Sequence, residues 1–92
     1  MVQITGLFEA GDALRNAIHD LKAPLFFIIG LRGYKLRQQG HVVDTCPVFA
    51  EPILQAWKLP YQLLENPQPQ DIAAAYKATQ ASGQAAAVLI AE

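Results

Sequence analysis

Arg32, His41 and Cys46 are the side chains of this chain whose chemistry could act on a substrate, and Gly6 is the backbone position best suited to letting one approach. The planar guanidinium of Arg32 pairs with sulfonate, phosphonate or carboxylate oxygens. It stands just past a strongly apolar run, as an anchor for an anionic group or as a solvated loop residue. His41, beside Gln39 and Gly40, carries an imidazole suited to proton transfer near neutral pH, although a loop histidine facing water is the simpler reading. Cys46 and His41 together invite a thiol-nucleophile reading, yet no third residue is there to orient the base. Metal chemistry has no pattern to rest on, with one Cys, two widely separated His residues and no paired-His helix spacing. Glu9 and Asp12 are expected in the first turn of a helix, where they complement its dipole. Trp57, Tyr61 and Tyr76 read as core or interface packing.

The elements that must position these groups alternate between strand and helix. Residues 2–5 read as the last few residues of a strand meeting a turn glycine, Gly6. Apolar residues at 10, 13, 14, 17, 18 and 21 then repeat at three- and four-residue spacing. They predict an amphipathic helix over 8–22, with Arg15, His19, Asp20 and Lys22 toward solvent. Residues 25–29 have no polar alternation, as a strand covered on both faces requires, and Gly30 and Gly33 end it.

Residues 31–48 show no period and are expected to form a long functional loop. Glu51-Pro52 opens a short helix that Leu59-Pro60 stops, because a first-turn proline forfeits no hydrogen bond. A strand over 61–64 follows, with Asn66-Pro67 as a cap-like residue and a first-turn proline. An alanine-rich helix over 69–81 ends at Ser82-Gly83, and a buried strand over 85–91 closes the chain. The expected fold class is α/β: a mostly parallel sheet with helices on both faces, Rossmann-like, in one domain of 92 residues. Ligands of such sheets bind beyond the carboxyl ends of the strands, where Gly6 and Arg32 fall.

Composition narrows the function classes. The chain is 52% hydrophobic and only 16% charged, apolar enough for some surface to be meant for a partner. A formal net charge of −1 offers no electrostatic footprint for nucleic acid or an anionic membrane. The single cysteine excludes an internal disulfide, and no basic segment followed by an apolar one opens the chain, so a cytoplasmic setting is expected. The apolar run over 24–29 is far shorter than the ~20 residues of a membrane helix.

The order of Gly6, Asp12-Ala13, Pro24, Gly30, Arg32-Gly33, Gln39-Gly40 and Leu59-Pro60-Tyr61 resembles the pyrimidine-binding domain of thiamin-diphosphate-dependent 2-oxo acid decarboxylases. The likeness is greatest to the sulfopyruvate and phosphonopyruvate decarboxylase branch. Phe8 stands where many relatives have a second Gly and Asp12 where many have Asn, and residues 41–50 form a longer segment than the family's.

The resemblance implies a thiamin-diphosphate-binding fold with Thr5, Gly6 and Leu7 against the cofactor, and Arg32 and His41 toward the substrate. It implies no catalytic residue in this chain. The family's cofactor-activating glutamate precedes the loop that begins here, and its magnesium-binding motif belongs to a diphosphate-binding domain or subunit. The chain would then be the C-terminal part of a pyrimidine-binding domain, starting within a strand, with Met1 an internal methionine or a misassigned start. It would be inactive alone and would work in a homo- or hetero-oligomer with thiamin diphosphate and magnesium. A non-catalytic small α/β interaction domain derived from that fold is the alternative.

Overall fold

Four short strands, all parallel, carry the fold. The computed structural model describes residues 1–42 and 44–92; Val43, inside the expected loop, lies outside the described residues. In chain order the elements are β1 (Val2–Gln3), α1 (Ile4–Arg15), β2 (Phe26–Leu31), α2 (Tyr34–Gln38), α3 (Cys46–Ala56), β3 (Tyr61–Leu64), α4 (Pro69–Ser82) and β4 (Ala86–Ala91). The strands lie in the order β1-β2-β4-β3. β4 is therefore central, pairing Ile29 with Leu89 on one side and Leu63 with Leu89 on the other.

The order of the strands dictates the layers. Steps β1 to β2 and β2 to β3 run the same way across the sheet, and right-handed crossovers put α1 and α3 on one face. The step from β3 to β4 runs back, which sends α4 to the other face. The contacts agree: α1 and α3 touch each other and β2, while α4 touches β4. The α/β reading with a parallel sheet and helices on both faces thus holds.

The core lies between the sheet and the α1/α3 layer. Ile4, Leu7, Ile29, Leu31, Leu54 and Leu89 are all at or below 1% exposure, and Phe8, Phe27, Trp57 and Tyr61 pack around them. Phe26 and Ile28 point to the α4 face and are only half-buried, because one helix covers that side. Tyr76 of α4, itself 45% exposed, sets its ring edge-on to Phe26 with centroids 5.5 Å apart.

Several element boundaries differ from the sequence-based expectation. The first helix begins at Ile4, so the strand is shorter than 2–5 and Gly6 sits inside the helix rather than in a turn before it. Ile4 and Leu7, three residues apart, are both buried, and this pairing on one face favours helix over strand. Glu9 and Asp12 consequently stand beyond the first turn, and Asp12 accepts a 2.8 Å hydrogen bond from Arg15.

The helix also widens into a π-helical turn over Asn16–Asp20. Each turn then takes an extra residue, which breaks the three-and-four spacing and leaves Leu21 72% exposed. Arg15, His19, Asp20 and Lys22 do face solvent.

The expected loop over 31–48 contains α2 and the first turn of α3, which starts at Cys46 and not at Glu51. Pro52 therefore lies within the helix. It is exposed, as is Val48, whose carbonyl loses its i+4 donor and can turn to water. β2 runs on through Gly30 to Leu31, and Gly33, at φ 84°, makes the turn. Ahead of α4, the Asp71 carboxylate accepts the Gln68 amide at 2.8 Å and Pro69 is the first helical residue, so Asn66-Pro67 is a turn and not the cap.

Candidate functional site

Because every strand is parallel, all four carboxyl ends open on one edge, and the residues following them are neighbours there. Arg32 is exposed on the turn after β2, with Gly33 buried beside it. The next residues reach across the end of β4 to β3. The Lys35 amide donates to the Glu92 carbonyl at 3.0 Å, the Glu92 amide donates to the Leu31 carbonyl at 3.2 Å, and Lys35 Nζ donates to Asn66 Oδ1 at 2.6 Å. Gln38 reaches Glu65 at 3.4 Å. Asn66 takes a left-handed conformation at φ 53°, tolerable for Asn, and this presents its amide oxygen to the lysine. A Cβ at Gly30 would stand 2.7 Å from Glu92 Oε1, which places the Glu92 carboxyl over that glycine.

The predicted site residues are distributed unevenly. Thr5 and Gly6 are exposed in the first turn of α1, and a Cβ at Gly6 would meet nothing within 4 Å. The surface above this backbone is open. Leu7 is 1% exposed in the core and cannot meet a ligand; as the residue three on from Ile4 it belongs to the buried stripe of α1. His41 is exposed beyond α2, held by its amide to the Leu36 carbonyl at 2.8 Å, so a helix separates it from the strand end.

Cys46 is half-buried at the start of α3, where its amide donates to Asp44 Oδ1 at 2.9 Å. Burial first, then the Asp44 charge, push its thiol above the ordinary range and disfavour the thiolate. No hydrogen bond joins it to His41 among the described residues. Nor does any group of three or more His, Cys, Asp or Glu gather among them as a metal-holding cluster.

Lys35, Glu65, Asn66 and Glu92 are the carboxyl-edge residues that sequence reasoning missed. Lys35 lies in the first turn of α2, three residues after Arg32; the meeting with Asn66 depends on β4 lying between β2 and β3, which no local pattern encodes.

On α3, Glu51 and Gln55 stand one turn apart and clasp the Tyr61 hydroxyl at the start of β3. The hydroxyl donates to Glu51 Oε1 at 2.8 Å and accepts from Gln55 Nε2 at 3.1 Å. Burial first, then the bond to Glu51, raise the Tyr61 phenol above its ordinary value near 10. The folded chain therefore holds this proton more tightly than the unfolded chain. Its stabilisation is complete below about pH 10 and is lost as the pH rises through the folded value. The Cys46 thiol, also raised, acts with the same sign from about pH 9. Urea unfolding is expected to show lower stability at about pH 10.5 than at about pH 8, with the difference reduced in Tyr61→Phe/Cys46→Ala. An equal alkaline loss in that variant would assign the effect to other groups.

The hollows of the surface lie mainly at the opposite, amino edge of the sheet. One is lined by Phe26, Pro60, Ala75, Ala78 and Thr79, another by His19, Lys22, Lys58, Pro60 and Ala85. No helix among the described residues is long and apolar enough to cross a membrane. No family model, curated protein or solved structure matches the chain.

Proposed function

We propose that the chain is a subunit or fragment of a thiamin-diphosphate-dependent, non-oxidative 2-oxo acid decarboxylase of the sulfopyruvate or phosphonopyruvate type. In this reading it is the part that receives the cofactor's pyrimidine, and it is inactive alone. The observation that supports this best is the pair Gly6 and Arg32: both follow the carboxyl ends of adjacent parallel strands, β1 and β2, with open space above Gly6. A glycine backbone with nothing in front of it accepts a flat ring at contact distance. Thr5 and Gly6 would hold the pyrimidine edge, and Arg32, with Lys35 in the following helix, would orient the anionic end of a substrate. When bound, the cofactor supplies the carbon that adds to the 2-oxo acid and the sink for the electrons left when carbon dioxide departs.

In this reading the diphosphate half, with its magnesium, falls to a partner domain or subunit of the same enzyme, in an oligomer within the cytoplasm. The interaction-domain reading is favoured by one feature: β1 and β3 are short edge strands with unpaired outer sides.

Calorimetry of the purified chain with thiamin diphosphate and magnesium is expected to give no sub-micromolar isotherm, and 2-oxo acids are expected to release no carbon dioxide with the chain alone. Tight, saturable binding or turnover would overturn the division of labour between this chain and a partner.

A further inference from the structure

The amino edge of the sheet is where three helices end, and each ends on a left-handed residue: Lys22 at φ 55°, Lys58 at φ 55° and Gly83 at φ 68°. After α3 the geometry is a Schellman closure, with the Leu59 amide on the Leu54 carbonyl and the Lys58 amide on the Gln55 carbonyl, both at 3.0 Å. The π-helical turn closes more widely, the Ala23 amide reaching the Ala17 carbonyl at 2.9 Å, and the Gly83 amide donates to the Thr79 carbonyl at 3.1 Å. Glycine is the strain-free residue at such a position, yet lysine fills two of the three.

All three of these residues line one cleft of about 360 Å³, within the range of small-ligand sites, with Pro60 and Ala85 in its wall. His19 lines it too, its Nε2 hydrogen-bonded to the Trp57 carbonyl. No carboxylate is among its lining residues. The nearby acids are already engaged: Asp12 and Asp20 are bound by Arg15, and Asn16 donates to Asp20. Those of Arg15 are the only salt bridges among the described residues, so neither Lys22 nor Lys58 has a carboxylate partner. At the three helix ends the carbonyls of Ala17, Leu54, Gln55 and Thr79 are taken by backbone amides. Through Pro60, Gln84 and Ala85 the cleft adjoins a second, apolar hollow walled by Phe26, Ala75 and Ala78.

We propose that this edge binds a small organic anion, its carboxylate or phosphate head between Lys22 and Lys58 and a short apolar body over Pro60 and Ala85. The site is independent of the carboxyl-edge reading, being on the far side of the sheet.

The test is an amide-shift titration of the whole chain with hexanoate, hexyl phosphate and hexanol at constant ionic strength. Either anion, or both, should shift the amides of Lys22, Lys58, Gln84 and Ala85 saturably, and the one that binds identifies the head; hexanol should be at least about tenfold weaker. Lys22→Gly/Lys58→Gly should bind at least about tenfold more weakly while melting no lower than the parent, since it removes charge and strain together. Lys22→Gln/Lys58→Gln, which keeps most of each stem, should lose affinity equally and gives the answer if the glycine variant is poorly folded. The absence of saturable shifts at these amides, hexanol binding as well as the anions, or undiminished affinity in the lysine variants would each overturn the proposal.

Discussion

Leu89→Asp is expected to leave no cooperatively folded protein. Leu89 is fully buried at the middle of the central strand, opposite Ile29 on β2 and Leu63 on β3, and it belongs to the core under α1 and α3. A carboxylate there has no partner, and burying one costs several kcal/mol on top of the lost leucine packing. A domain of this length has a stability of only about 5–10 kcal/mol, so the combined loss exceeds what the rest of the fold supplies. Circular dichroism should show no thermal transition for the variant. A soluble Leu89→Asp protein with a sharp melt would contradict the placement of β4. The more apolar-looking position, Ile28, is a weaker test, because its half-exposed side chain on the α4 face lets a charge turn toward water.

Leu54→Ala should lower stability by about 3 kcal/mol and the melting midpoint by roughly 12–24 °C. Leu54 is fully buried and plays two parts: it fills the core between α3 and the sheet, and its carbonyl accepts the Leu59 amide that ends the helix. Leu59, 2% exposed, packs at the same helix end, as the hydrophobic partner of a Schellman closure does. Truncation leaves a cavity that the rigid strand behind cannot fill. A midpoint within about 4 °C of the parent would show that α3 is loosely docked.

Most of the architecture was readable because burial writes itself into short stretches of sequence. The unbroken apolar segments at 25–29 and 85–91 are β2 and β4, and the glycine after residue 82 is the left-handed end of α4. The start of α1 was not, since Ile4 and Thr5 are β-branched residues of good strand propensity that tertiary packing of Ile4 and Leu7 overrides. Nor was the π-helical turn, which appears as a lost period rather than as a motif. Pro52 hid the first half of α3 because a proline inside a helix is costly unless, as here, it lies on the wet side.

The site divides along the same line. That Gly6 and Arg32 lie beyond the carboxyl ends of β1 and β2 was readable from local strand signals, although Gly6 lies within α1 and not in a turn. The joining of Lys35 to Asn66, and the convergence of Lys22, Lys58 and Gly83, depend on strand order and helix direction, which bring together residues far apart in sequence.

The proposal that Gly6 receives a pyrimidine is tested most directly by following the amide signals of the isolated chain during titration with thiamin diphosphate and magnesium. Binding should be weak and without turnover, and shifts should appear at Thr5, Gly6 and their surroundings at the carboxyl edge, separate from any at the amino-edge cleft. Gly6→Ala should abolish them while leaving the fold intact or about 1 kcal/mol more stable, since the methyl group meets nothing in the protein and alanine is the better helix residue. An absence of shifts at Thr5 and Gly6, or shifts there that persist in Gly6→Ala, would contradict the account.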